Sequence, residues 1–197
     1  MRELLIATRN TNKIPGLMVY LTGLPLQPIS LSDVGDTAEV SETAQTFEGN
    51  AIIKACTYAF RSGKLTLADD SGFVVDALHG KPGVLSARYV PGRDIDRYEK
   101  VLEEMREIPE RERSARYVAA IAICDPNRGY EVRTAVGICE GLVAREPRGH
   151  NGFGYDPIFY ANELKKTFAE ATLEEKSPVS HRGKAMAEIR KALEVWL

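Results

Sequence analysis

Apolar positions along the chain fall into short runs and helical stripes that alternate. Leu4-Leu5-Ile6-Ala7 is a brief apolar run, consistent with a buried strand, and it passes into the polar stretch Thr8 to Lys13. A helix is predicted next, with Leu17, Met18 and Leu21 at helical spacing and a stop at Gly23 and Pro25. From Thr46 the pattern turns helical again: Ile52, Cys56, Ala59 and Phe60 share one face, and Gly63 ends it. Leu65 to Ala68 reads as a strand that delivers Asp69-Asp70-Ser71-Gly72 at its C-terminal end. Residues 94–107 predict an amphipathic helix capped by Asp94, with Tyr98, Val101, Leu102 and Met105 as its stripe. Tyr117 to Cys124 and Val132 to Cys139 are β-rich runs, and Asp125-Pro126-Asn127-Arg128-Gly129 between them predicts a hairpin. Ser180 is placed to cap a last helix that turns Ala185, Ile189, Ala192, Leu193 and Trp196 inward. A hairpin together with strand–helix alternation implies an α/β protein with a mixed sheet.

Composition narrows the class. The chain has 197 residues, of which 44% are hydrophobic and 27% charged, enough for one domain over residues 1–197 with a substantial core. A net charge of −2 argues against a general nucleic-acid-binding surface. Cys56, Cys124 and Cys139 are odd in number and form no C-x-x-C pair, so small thiols in a reducing compartment are the expectation. The apolar run near the N-terminus is too short for a signal peptide or a membrane span, which suggests a cytoplasmic protein with no membrane partner.

The polar stretches at element boundaries are where chemistry would be built. The turn Thr8-Arg9-Asn10-Thr11-Asn12-Lys13 offers backbone N–H groups, a helix start and a full positive charge to an anion, although an exposed polar turn has the same appearance. No P-loop or Rossmann glycine pattern is present. Asp69 and Asp70, adjacent on an extended segment, should point to opposite faces. A carboxylate there suits Mg²⁺, with Glu42 as a second ligand if the fold brings it close, and Asp-Asp-Ser-Gly equally suits a plain turn. Asn50 and Lys54 stack on the helix face opposite the apolar stripe, where surface exposure is the ordinary outcome. Three glycines around Phe153 and Tyr155 would let backbone approach a ligand and leave rings to stack on a base, although a glycine-rich turn with core aromatics reads the same way. His181 and Arg182 at the start of the last helix offer donors that could meet a base edge, although helix capping with a solvated arginine has the same pattern.

Taken in order, these segments resemble the Ham1/RdgB family of inosine/xanthosine triphosphate pyrophosphatases. The resemblance runs from Ala7-Thr8 through Phe47-x-x-Asn50-Ala51-x-x-Lys54-Ala55 and Ala68-Asp69-Asp70-Ser71-Gly72 to Gly80-x-Pro82-Gly83-x-x-Ser86-Ala87-Arg88-Tyr89. It continues through Gly152-Phe153-Gly154-Tyr155-Asp156-Pro157 and Glu175-Lys176-Ser177 to Ser180-His181-Arg182-Gly183-Lys184-Ala185, covering essentially the whole chain. It implies an elongated, twisted mixed sheet flanked by helices, with two lobes around a nucleotide cleft, and a homodimer. It also implies hydrolysis of ITP, dITP or XTP to the monophosphate and pyrophosphate; the residues alone leave attack at the α- or γ-phosphorus open.

Carried over by position, Thr8 to Lys13 would bind the triphosphate, with Lys54 adding charge beside it. Glu42 and Asp70 would hold Mg²⁺, Asp70 would accept the proton and Asp69 would support it. Ser71, Phe153, Gly154, Tyr155, Asp156, Lys176, His181 and Arg182 would contact the nucleotide. One departure stands out: the family often has an acidic residue three positions after the loop lysine, and this chain has Gly16 preceded by Pro15. A Maf-like pyrophosphatase is the nearest enzymatic alternative, less well matched by His181-Arg182 and Gly152 to Pro157. A non-catalytic nucleotide sensor would have no need of Glu42, Asp69 and Asp70.

Overall fold

The computed structural model describes all 197 residues. Seven strands form one sheet in the order β2-β1-β3-β4-β5-β6-β7. β1 (Arg2–Ile6) pairs in parallel with β2 (Leu26–Ser30) and with β3 (Leu65–Val75). β4 (Ser114–Asp125) and β5 (Glu131–Val143) are neighbours, joined through the predicted turn, which Tyr130 N closes onto Asp125 O at 2.9 Å. The antiparallel pairs of β5 with β6 (Phe159–Ala161) and of β6 with β7 (Lys166–Thr167) complete a mixed, open sheet. The helices are α1 (Ile14–Leu21), α2 (Phe47–Ser62), α3 (Asp94–Glu104), α4 (Leu173–Val179) and α5 (His181–Trp196).

The chain divides into two compact units, one of residues 1–70, 119–137 and 182–197, the other of residues 71–118 and 138–181. In the first, the two-residue period of the strands sorts side chains onto two cores. Leu4 and Ile6, Leu65 and Leu67, and Ile121 and Ile123 join Leu17 and Leu21 of α1 and Ile189 and Leu193 of α5. The alternate positions Leu5, Ala7, Ala68, Ala120, Ala122 and Cys124 pack with Ala51, Ala55, Tyr58 and Ala59 of α2. The second unit has an aromatic core of Phe73, Tyr117, Tyr155, Phe159 and Phe168, joined by Val101 and Met105 of α3. Arg113 is buried there, with Nε on Val143 O at 2.8 Å and its terminal nitrogens on Met105 O at 2.6 Å and Ala144 O at 3.0 Å. It fastens the end of α3 to the end of β5.

Several elements differ from the sequence expectation. The buried face of α2 is Asn50, Ala51, Ala55, Tyr58 and Ala59; Ile52 and Cys56 are only half-buried, and Phe60 is 75% exposed. Met18 likewise faces outward while Leu17 and Leu21 are buried. Asp69-Asp70-Ser71-Gly72 is neither turn nor strand end, because β3 runs straight through it for 11 residues. Asp94 is not the cap of α3: Arg93 holds that position and Asp96 Oδ2 accepts from its N–H at 2.6 Å. β2 was not anticipated; it carries Pro28, which an edge strand tolerates. Nor was α4, which Thr172 and Glu175 open with a reciprocal capping pair.

Candidate active site

The same alternation that sorts the core of the first unit sends its two central carboxylates apart. Asp69 follows the register of Leu65 and Leu67, toward α1 and α5, where Lys13 Nζ bonds one oxygen and Arg182 Nε the other at 3.1 Å. Asp69 is 2% exposed. Burial alone would raise its proton affinity, but the Lys13 and Arg182 charges outweigh it and hold the carboxyl well below the usual carboxylate range. Burial, joined by the Arg182 and Lys54 charges, lowers Lys13 in turn, with the Asp69 carboxylate opposing.

Asp70 follows the register of Ala68, toward α2. Lys54 Nζ donates to Asp70 Oδ1 at 3.0 Å, to Glu42 Oε1 at 2.8 Å and to the backbone oxygen of Asp69 at 2.8 Å. Burial pushes the Asp70 carboxyl above its ordinary value, with the Glu42 charge adding to it and Lys54 opposing. Burial works against the charge on Lys54, yet Asp70 and Glu42 together hold its proton more tightly than usual. Asn50, expected on the surface, is completely buried: Nδ2 donates to Asp70 Oδ2 at 3.3 Å and Oδ1 accepts from Ala44 N at 2.9 Å. Asn50 therefore joins the segment that carries Glu42 to Asp70. The Lys54 side chain is 13% exposed, so it too is not a solvated surface lysine.

Two carboxylates converging on one ammonium form a site with the oxygen donors and net negative charge that a hard divalent cation takes. No group of three or more His, Cys, Asp or Glu placed to hold a metal ion gathers anywhere in the chain.

The turn ahead of α1 is a different offer from the one its sequence suggested. The amides of Thr8, Asn10, Asn12 and Lys13 are taken by Ile6 O, Thr8 Oγ1, Asn10 Oδ1 and Asn10 O, at 2.9 to 3.2 Å. What the turn presents outward is side chains, and Arg9, Asn10, Thr11 and Asn12 are all exposed. Gly16 does not loosen Lys13, which is anchored on Asp69; a Cβ at Gly16 would lie 3.8 Å from Arg182 Cδ, an ordinary contact.

In the second unit, the glycine-bearing segment from Gly149 to Pro157 is pinned rather than open. Asp156 is buried and its Oδ2 accepts from Phe153 N at 3.0 Å and from Lys176 Nζ. Gly152 has φ +76°, and a Cβ there would collide with the Asp156 carboxylate. Tyr155 contributes no ring for stacking on a base: it is 3% exposed, lies on Phe73 at 5.0 Å between centroids, and donates from its hydroxyl to Ser86 O at 2.8 Å. Phe153 is half-buried, with Lys176 Nζ 5.9 Å from its ring centroid. His181 is buried and stacks on Tyr117 at 4.5 Å and 7°. Ser71, next to Asp70 in β3, is half-buried.

The sequence points to most of these side chains but gives no anchoring role to two that have one, Asn50 and Asp94. Asn50 stood in a quoted motif without a task. Asp94, taken for a cap, instead accepts from Gly154 N at 2.7 Å.

The model of the Ham1 family matches residues 4–192. The chain is 41% identical over 198 residues to a dITP/XTP pyrophosphatase of Bacillus cereus, covering all of this chain and 97% of the relative. It is 45% identical over 195 residues to the dITP/XTP pyrophosphatase of Geobacter sulfurreducens, covering 98% and 97% of the two. Among solved structures, a HAM1 protein from Coxiella burnetii superposes with a TM-score of 0.89 at 38% identity, covering 99% of this chain and 100% of that one. The Ham1 protein of Staphylococcus aureus gives 0.88 at 36% identity, with 100% of each chain covered. By sequence over nearly its whole length, and by fold, the chain belongs to the Ham1 family.

Proposed function

We propose that the protein hydrolyses non-canonical purine nucleoside triphosphates, ITP, dITP and XTP, to the monophosphate and pyrophosphate, using Mg²⁺ and acting as a cytoplasmic homodimer. The observation that carries this reading is Lys54 Nζ held between the Glu42 and Asp70 carboxylates, beside a second buried cluster of Lys13, Arg182 and Asp69. Its support from outside the site is the family membership and the dITP/XTP pyrophosphatases among the relatives. No helix is long and apolar enough to cross a membrane.

Phosphoryl chemistry asks for positioning and charge neutralisation more than for covalent help. Lys13 and Lys54 are the cations to offset the triphosphate, and the exposed side chains of Arg9, Asn10, Thr11 and Asn12 extend that surface. Glu42 and Asp70 would hold Mg²⁺, which when bound would supply further neutralisation of phosphate charge and Lewis-acid activation of water. Asp70 is placed to take a proton from the attacking water, and Lys54 and Asn50 fix the direction of its two oxygens. Asp69, kept ionised, holds Lys13 and Arg182 in place. Phe153, Lys176, His181 and Arg182 serve the nucleoside end. Hypoxanthine and xanthine offer an acceptor carbonyl at C6 where adenine has a donor, and a donor-only guanidinium rejects adenine at about 1–3 kcal/mol per unmatched group.

The test is product analysis on a panel of nucleoside triphosphates, with and without Mg²⁺, alongside Asp70→Asn. Pyrophosphate from ITP and XTP, little from ATP, and loss of turnover in Asp70→Asn are the expected results. Orthophosphate as the first product, or an undiminished Asp70→Asn, overturns the reading. Sedimentation of the pure protein decides the dimer.

A further inference from the structure

Three consecutive backbone amides in the second unit are each taken by a side chain from a different place. Phe153 N donates to Asp156 Oδ2 at 3.0 Å, Gly154 N to Asp94 Oδ2 at 2.7 Å, and Tyr155 N to the Tyr117 hydroxyl at 3.1 Å. Two of these partners are secured by the core. Asp156 is buried against Lys176, and the buried Tyr117 hydroxyl is kept protonated by desolvation, its proton affinity far above that of a free phenol. Asp94 is different. It is half exposed at the first residue of α3, 60 positions away in sequence, and its other oxygen is held by Arg97 Nη2 at 2.6 Å. Arg97 is itself anchored on Gly92 O at 2.8 Å. The carboxylate thus stands oriented before it meets Gly154, which has φ +65° and follows Phe153 directly.

We propose that Asp94 is a positioning residue for nucleotide binding: through the Gly154 amide it sets how the segment carrying Phe153 is presented, and so how tightly the nucleoside is held. This rests on the reading that Phe153 contacts the nucleotide. Asp94 touches no reacting atom, so its loss weakens ground-state and transition-state binding alike and appears in KM rather than kcat.

A simpler role competes. An acidic residue in the first turn of a helix stabilises it through the helix dipole, and that role needs the charge. Holding Gly154 needs only an acceptor oxygen, which asparagine retains. Asp94→Ala and Asp94→Asn lose the charge equally, and only alanine loses the acceptor.

The experiment measures kcat and KM for ITP in the wild type, Asp94→Ala, Asp94→Asn and Phe153→Ala. Amide hydrogen exchange at Gly154 and thermal melting are followed in the same proteins. Asp94→Ala should raise KM about 10-fold with kcat within about twofold, and speed exchange at Gly154. Asp94→Asn should recover most of the KM and the protection while melting like the alanine variant. If alanine and asparagine raise KM equally, or if Phe153→Ala raises KM while Asp94→Ala does not, the positioning role is overturned. If Phe153→Ala leaves KM unchanged, the nucleotide-contact reading falls, and the proposal built on it falls with it.

Discussion

Asp69 and Asp70 are adjacent on β3 and send their carboxylates to opposite faces of the sheet, Asp69 to Lys13 and Arg182, Asp70 to Lys54 and Asn50. One strand thereby serves two cation clusters without bringing its carboxylates together. The two groups are pushed in opposite directions, Asp69 toward permanent ionisation and Asp70 toward holding a proton. Divergent environments for neighbouring carboxyls allow them to take separate tasks, the structural and acid–base ones proposed above.

The depressed proton affinity of Asp69 has a consequence for acid stability. Its folded-state value lies below the unfolded one, so the unfolded chain binds more protons in the interval between them. The stabilisation is fully present above the unfolded value, near pH 4, and is lost as pH falls below it. Asp69→Asn removes the partner of two buried cations and should cost about 3–5 kcal/mol at neutral pH. Urea unfolding at a series of pH values checks both parts: the wild type should lose stability steeply below about pH 4, and the variant should show a flatter acid limb.

Asn50 gives a second prediction. Its amide has one orientation compatible with its neighbours, since Oδ1 faces an N–H and Nδ2 faces a carboxylate. Asn50→Leu keeps the branching and heavy-atom count, at somewhat greater bulk, but leaves the Ala44 amide without this acceptor and Asp70 without this donor. Stability should fall by about 2 kcal/mol, and ITP turnover should fall with it. Thermal melting and pyrophosphate release at saturating Mg²⁺ measure the two; unchanged turnover in a folded variant would leave Asn50 a purely structural role.

Much of this was legible in the chain because strand alternation and helix caps are local signals. Thr46, Gly63 and the stripe of α5 were read correctly for that reason. The buried face of α2 was misread because it is made of Ala51, Ala55 and Ala59, small residues that let a helix sit close to the sheet but carry little apolar weight. Ile52, Cys56 and Phe60 drew attention and lie toward solvent or half-buried. Asp69-Asp70-Ser71-Gly72 has the composition of a turn, yet β3 passes through it because cations on both faces satisfy the carboxylates. Those partners are remote: Lys13 is 56 residues from Asp69 and Arg182 is 113. Alternation could say that the carboxylates diverge, but not which cations meet them.

Gly16 offers a test of how much room the turn ahead of α1 has. Its φ is not in the left-handed region, and an added Cβ would make only an ordinary contact with Arg182. Gly16→Ala should therefore stabilise the protein by about 0.4–1 kcal/mol, chiefly by restricting the unfolded chain. A rise in melting temperature with ITP turnover unchanged is the expected outcome, and a fall would mean that the start of α1 must flex.

Arg182, proposed above to read the base, also belongs to the charge cluster around Asp69. Its Nε is committed to Asp69 Oδ2 at 3.1 Å, so Arg182→Ala removes a partner of Asp69 whatever nucleotide is bound. That part of the loss is common to ITP and ATP. If the guanidinium also donates to the C6 carbonyl, ITP loses a further interaction that ATP never made, because a site built from donors rewards the carbonyl and penalises the amino group. The expected outcome is a fall in kcat/KM for ITP on the order of 10- to 100-fold beyond the fall for ATP, equivalent to about 1.4–2.7 kcal/mol. Arg182→Lys separates the two contributions, since an ammonium can restore charge to Asp69 but not the planar donor edge. It should recover the shared loss and leave the ITP-to-ATP ratio depressed. Equal falls for the two nucleotides in Arg182→Ala would confine Arg182 to Asp69, and base selection would then have to come from the side chains around Phe153 and His181.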